Sequence, residues 1–131
     1  MAGPNGRRSL AARLKDKRIV VAPGVYDAVT ARIADRMGFE ALYMTGYGTV
    51  ASHLGLPDAG LATYSEMVAR VAVIAENTTT PLIADADTGY GGLLNVRRTV
   101  QGYEAAGAAG EGALALLKNG KHKDAQTAFE R

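Results

Sequence analysis

The sequence predicts an α/β fold of parallel strands joined by helical crossovers, and three observations carry that expectation. Short apolar, β-branched runs alternate three times with longer stretches whose apolar residues recur at helical spacing. Each run is closed by Pro, Gly or Asp, residues that punctuate structure. With 131 residues, 47% of them hydrophobic, the chain is the size of one domain with a real core, and no low-complexity stretch suggests disorder.

Ser9 can cap a short helix that runs to Lys17. Arg18-Ile19-Val20-Val21-Ala22, stopped by Pro23-Gly24, then reads as a first, buried strand. Residues 26–37 carry Ala28, Val29, Ile33, Ala34 and Met37 at helical spacing, with Asp27 in the first turn and Gly38 closing the end. Ala41-Leu42-Tyr43-Met44 forms a second strand, broken by Gly46-Tyr47-Gly48. The next 17 residues, 46–62, read as a long loop of the kind that serves a site. Thr63-Tyr64-Ser65-Glu66 has the form of a capping box, and Met67, Val68, Val71, Ile74 and Ala75 give the following helix an apolar stripe. Pro81-Leu82-Ile83-Ala84 supplies a third strand, and residues 95–106 a third helix carrying Val96, Val100 and Tyr103. Such alternation fits either a doubly wound sheet or a (β/α)₈ barrel, and periodicity alone does not choose between them.

Composition narrows the chemistry. The chain has no cysteine, so disulfides, thiolate ligands and a cysteine nucleophile are excluded from it. A net charge of +2, with basic residues gathered before position 19 and from Lys118 onward and only Phe129 among them to stack a base, argues against nucleic-acid binding. No apolar run approaches the roughly 20 residues of a membrane span, and the basic N-terminus makes a poor secretory signal, so a cytoplasmic protein without membrane partners is expected.

The sharpest local signal is Ala84-Asp85-Ala86-Asp87-Thr88-Gly89-Tyr90-Gly91-Gly92, two carboxylates at i and i+2 where a strand meets a glycine-rich loop. Continued strand geometry would point both the same way, about 7 Å apart at Cα. Like charges beside an apolar strand call for an offsetting cation, and hard oxygen donors favour Mg²⁺ or Mn²⁺ over zinc. Turn or helix capping by either Asp explains the same pattern, and the local chemistry leaves both readings open. His53 reads as a solvated loop histidine, and Arg97 and Arg98 as a solvated helix face.

Val21-Ala22-Pro23-Gly24-Val25-Tyr26-Asp27-Ala28, Tyr43-Met44-Thr45-Gly46-Tyr47-Gly48, Gly55-Leu56-Pro57-Asp58-Ala59-Gly60 and the segment 84–91 resemble successive blocks of the isocitrate lyase and phosphoenolpyruvate mutase superfamily, and in particular its oxaloacetate decarboxylase-like and methylisocitrate lyase-like members. The resemblance covers roughly residues 9–109. It implies the first three βα units of a (β/α)₈ TIM barrel, Mg²⁺ with Mn²⁺ as a substitute, and a small 2-oxo or hydroxy acid whose C-C or P-C bond is made or cleaved through a pyruvate enolate. By position, Asp87 resembles the direct metal ligand and Asp85 the partner that holds metal-bound water. Asp58 and Tyr43 fall in the catalytic set, with Asp58 supporting the metal site. Tyr43, Thr45, Gly46 and Tyr47 resemble the loop that holds the substrate carboxylate. Each also has a plain explanation: turn formation for Asp58, strand termination for Thr45, core or rim packing for the tyrosines.

Superfamily members continue with a fourth strand ending in Glu-Asp, a gating loop and a substrate arginine, and none of these follows Ala109. Residues 110–131 instead read as a helical hairpin, with Leu117, Gly120, His122, Ala125 and Phe129 at spacings similar to part of one tetratricopeptide repeat. The expected organisation is thus a partial barrel over 1–109 and a helical tail over 110–131. Because a barrel of this type takes about 250 residues, the expectation is a weak or inactive isolated chain unless it forms a homo-oligomer. The rival expectation is a catalytically inactive interaction scaffold, and within the superfamily a phosphonate phosphomutase is the alternative.

Overall fold

The computed structural model describes residue 10, residues 12–15 and residues 19–111. Four short parallel strands, β1 (Gly24–Val25), β2 (Leu42–Met44), β3 (Leu82–Ala84) and β4 (Gly110–Glu111), pair in chain order. Doubly wound sheets reverse direction at a switch point, so an unreversed order over four strands is that of a singly wound wall such as a barrel has. Between the strands lie α1 (Ala28–Arg36), α2 (Gly46–Leu54), α3 (Tyr64–Glu76) and α4 (Leu93–Ala105). No helix among the described residues is long and apolar enough to cross a membrane.

Local chemistry sets the helix ends. The Asp27 carboxylate accepts from the Thr30 N–H at 2.7 Å while the Thr30 hydroxyl accepts from the Asp27 N–H, a closed capping box for α1. Thr63 and Glu66 repeat the device on α3. Gly38 adopts φ 77° just past α1, a left-handed stop that costs glycine nothing. The expected capping box is present, and of the expected stripe Met67, Val71, Ile74 and Ala75 are buried and Val68 is half-buried.

The strands alternate. Val25, Leu42, Met44, Leu82 and Ala84 are buried with Ala31, Ala34, Met67, Val71, Ile74 and Tyr103 in one core, whereas Tyr43 and Ile83 on the opposite face remain half-buried. One face of the sheet is therefore packed under helices and the other is partly open.

Three expectations are corrected here. The first strand is Gly24–Val25, not residues 18–22: Gly24 pairs with Tyr43, so Ala22 falls opposite Ala41 and Val20 opposite Phe39, where the chain is still turning out of α1. On α1 the sheet side is taken by Ala31 and Ala34, so that of the apolar set at helical spacing Ala34 is buried while Val29, Ile33 and Met37 are exposed. Residues 110–111, expected to open a helical hairpin, extend the sheet instead, Ile83 pairing with Gly110 and Ala84 with Glu111. The remainder of the expected hairpin, residues 112–131, lies outside the described residues.

Asp35 ties α1 to the entry of β3. Its Oδ1 accepts from the N–H groups of Thr79 at 3.0 Å and Thr80 at 2.8 Å. Burial alone would raise the Asp35 pKa, but these bonds outweigh it and hold the carboxyl below its ordinary 3.8. Its stabilising effect is therefore complete above the unfolded-state value and lost as pH falls through the folded one. Asp35→Ala is expected to lower stability by about 1–2 kcal/mol at neutral pH. Urea unfolding should show that difference shrinking in acid; a difference constant with pH would contradict the tie.

Candidate active site

The carboxyl ends of β2 and β3 place the chemistry-bearing residues side by side, as parallel sheets commonly do. β2 runs into Thr45, whose Oγ1 accepts from the Gly48 N–H at 2.8 Å and caps α2. The segment expected to be one long loop, residues 46–62, is therefore helical over Gly46–Leu54, ending on Gly55 at φ 66°. Its glycines and polar residues mask a helix that a threonine cap and a left-handed glycine delimit. His53 is corrected with it: it sits in the last turn of α2, its Nδ1 2.8 Å from Arg70 Nη2.

β3 runs into Asp85, and here a turn replaces the expected strand continuation. The Asp87 N–H donates to Asp85 Oδ1 at 3.0 Å, Asp87 stands at φ 48°, and Tyr90 at φ 59°. These are the two non-glycine residues with left-handed backbone among those described, a conformation sustained only when surroundings enforce it. Asp85 Oδ2 accepts from Tyr43 Oη and from the Gly46 N–H, both at 3.3 Å. A Cβ at Gly46 would come within 2.9 Å of that oxygen, so only glycine lets the backbone donor approach. Capping and site geometry are thus not alternatives for Asp85, whose carboxylate does the turn's work and faces the cavity too.

A cavity of about 40 Å³ lies over these groups, lined by Gly46, Asp58, Asp85, Asp87 and Tyr90 together with Val50, Gly60, Ala62 and Met67. It holds a few water-sized molecules. Among the described residues, no Lys, Arg or His lines it. Among the predicted residues, Gly46, Asp58, Asp85 and Asp87 are brought together, and Tyr43 reaches them through Asp85. Thr45 is committed to its helix cap, and Tyr47 is 69% exposed and does not line the cavity.

Burial, the Asp85 carboxylate and the nearby Asp58 push the Tyr43 phenol from 10.0 up to about 12. Burial likewise pushes Tyr90 up to about 12, with Asp87, Asp85 and Asp58 adding to it and the Tyr103 hydroxyl opposing. Both remain donors at neutral pH.

In the sequence Tyr103 belongs to the apolar pattern of the third helix with Val96 and Val100, and neither Tyr90 nor Thr99 stands out. Tyr103 Oη donates to the Asp85 carbonyl at 3.3 Å and lies 3.1 Å from Tyr90 Oη, and Thr99 Oγ1 donates to the Gly89 carbonyl at 3.1 Å. The available signal was two hydroxyl residues at i and i+4 on the buried face of α4. Arg98, read as solvated, is exposed but also lies over the Tyr64 ring, 5.2 Å from its centroid.

Among the described residues, no group of three or more His, Cys, Asp or Glu is arranged to enclose a metal ion. The donor set nonetheless fits Mg²⁺, which keeps several waters and is held by one or two carboxylates. Asp85 Oδ2 is saturated by two donors and Oδ1 carries one, while the Asp87 side chain has no hydrogen-bond partner among the described residues. Of the pair Asp85 and Asp87, Asp87 is the one whose carboxylate carries no hydrogen bond among the described residues.

Fold and cavity together define a parallel α/β unit with an acidic cavity at the carboxyl ends of its strands. Residues 10–113 match the family described as phosphoenolpyruvate phosphomutase, and the chain belongs to that family, in the PEP mutase/isocitrate lyase superfamily. It is 59% identical over 96 residues to 2,3-dimethylmalate lyase of Eubacterium barkeri, covering 73% of this chain and 33% of that one. The structure of oxaloacetate acetylhydrolase with its product oxalate superposes with a TM-score of 0.76 at 46% identity, over 81% of this chain and 38% of that one. Phosphonopyruvate hydrolase, in a structure with oxalate and Mg²⁺, gives 0.73 at 33% identity, over 79% and 36%. The chain thus spans about a third of the length of these relatives.

The raised tyrosines make alkaline stability a readout of the site. Unfolded Tyr43 ionises near 10.0 and folded Tyr43 near 12, so in that window the folded state binds more protons and stability falls as pH rises. Tyr43→Phe should flatten the fall, read by urea unfolding through the window. A slope identical to wild type would mean that the phenol is not held by Asp85.

Proposed function

We propose that this chain is the metal- and carboxylate-binding part of a Mg²⁺-dependent carbon-carbon lyase that acts on a short 2-oxo or hydroxy acid of the oxaloacetate or methylisocitrate class. The observation that carries this reading is the cavity itself: Asp58, Asp85 and Asp87 line one small space, with no cationic side chain among the described residues that line it. Three clustered carboxylates of that kind call for a bound cation. Mg²⁺, or Mn²⁺ in its place, would be held by Asp87 and Asp85, with Asp58 adding negative charge to the same cavity. When bound, the ion supplies electrostatic stabilisation of charge that develops on the oxygen of the keto acid.

This chain's own residues do the rest. The Gly46 N–H and the Tyr43 hydroxyl orient Asp85. Tyr43, protonated up to about 12, has its single proton on Asp85 and would serve a substrate carboxylate beside the cavity only by releasing that bond. Thr45, capping α2, sets the direction from which the Gly46 N–H arrives, a positioning role that replaces direct contact. The family relatives support the substrate class, since an oxalate-bound hydrolase of oxaloacetate and a lyase of dimethylmalate both share this fold segment.

Calorimetric titration of Mn²⁺ with oxalate present, on wild type and Asp87→Ala, tests the reading. Wild-type binding weakened by at least about tenfold to a hundredfold in the variant is expected. Binding that the substitution leaves untouched would sink it. Turnover of oxaloacetate or methylisocitrate by a polypeptide of these 131 residues is expected to be low and to rise with protein concentration, as a second copy covers the open face of the sheet. Full activity in a proven monomer would contradict that part.

A further inference from the structure

The turn that carries the acidic pair is gripped from behind by one face of α4, and nothing in the proposed chemistry accounts for that grip. Thr99, 2% exposed, and Tyr103, fully buried, stand four residues apart on that face and donate to the carbonyls of Gly89 and Asp85, the two ends of the turn. A carbonyl only accepts, so Tyr103 is the donor to Asp85, while either hydroxyl can be the donor in its contact with Tyr90. Val96, one turn earlier on the same helix, fills the space beneath Gly89: a Cβ there would lie 2.5 Å from Val96 Cγ2. Tyr64 stacks on Tyr103 with ring centroids 6.4 Å apart and meets Tyr90 edge-on at 6.1 Å, which leaves the phenols little freedom.

The two left-handed residues, Asp87 and Tyr90, lie inside or beside the gripped stretch. An ungripped turn would relax toward ordinary backbone and carry the Asp87 carboxylate away from Asp85. We propose that Thr99 and Tyr103 are positioning residues, a hydroxyl clamp on α4 that holds the Asp85–Tyr90 turn in its left-handed form and so sets the spacing of Asp85 and Asp87 for a divalent cation. The clamp rests on the metal reading for its purpose, but its geometry stands without it.

The test uses Thr99→Val, Tyr103→Phe and Tyr90→Phe, with Thr78→Val as the matched control. Thr78 is equally buried and its hydroxyl also donates to a carbonyl, that of Ile74, on α3 and away from the turn. Two readouts are taken on each folded variant: Mn²⁺ affinity, and amide exchange at Asp87 and Gly89, whose N–H groups bond within the turn. Thr99→Val and Tyr103→Phe are each expected to weaken Mn²⁺ by about tenfold and to speed exchange by at least about fivefold, with Tyr90→Phe milder because it leaves the bond to Asp85 in place. Thr78→Val should lower the melting temperature without moving either readout. Unchanged exchange in Thr99→Val and Tyr103→Phe, or equal changes in Thr78→Val, overturns the clamp. If wild type binds no Mn²⁺, the metal reading fails by itself and exchange alone decides: faster exchange upholds the clamp, wild-type exchange overturns it.

Discussion

Every polar atom of Asp85 is engaged, and the site depends on that. Its N–H continues the sheet ladder to the Met44 carbonyl at 3.1 Å, and its carbonyl accepts from Tyr103. Its carboxylate gathers Tyr43 from β2, the Gly46 N–H from the start of α2 and the Asp87 N–H from its own turn. One residue therefore fixes the mutual position of two strand ends, a helix start and a loop. Three donors on one half-buried carboxylate leave it little freedom to turn away from the second one.

How much of this was legible in the sequence follows from how local each cause is. Helix ends were readable because caps lie within four residues: Thr63 with Glu66, and Gly38 after α1. The start of β1 was not, since parallel register is set by a partner 19 positions away, and the most β-branched stretch, Ile19-Val20-Val21, falls outside the pairing. The face of α1 misled for a related reason. Spacing identifies an apolar stripe but not which side meets the sheet, and the sheet took the alanines.

The same distinction holds in the cavity. That Asp85 and Asp87 belong together was visible as a local pattern, although the cause is a turn stabilised by Asp85 itself and not strand periodicity. The supporting residues were hidden because Tyr103 and Thr99 do two things at once. They satisfy an amphipathic helix pattern with their carbon atoms and a loop backbone with their hydroxyls, and only the first leaves a periodic trace. Tyr47, which the family resemblance placed on the substrate loop, stands on the first turn of α2, exposed and outside the cavity lining.

The open face of the sheet separates binding from turnover. Tyr43 is half-buried there, and water beside it screens the charges a few ångströms away. In the proposed reading a cation needs only donors of the right kind and spacing, and the Asp85 and Asp87 carboxylates are those donors. Stabilising charge that appears during bond cleavage asks for more, because fixed dipoles outcompete solvent only where solvent is excluded. Covering Tyr43 and Ile83 would deepen the burial that already keeps the Tyr43 phenol protonated and would strengthen each of the bonds to Asp85. In the proposed reading the described unit thus carries the ligands and their spacing, while catalytic power rests on whatever closes over the face that carries Tyr43.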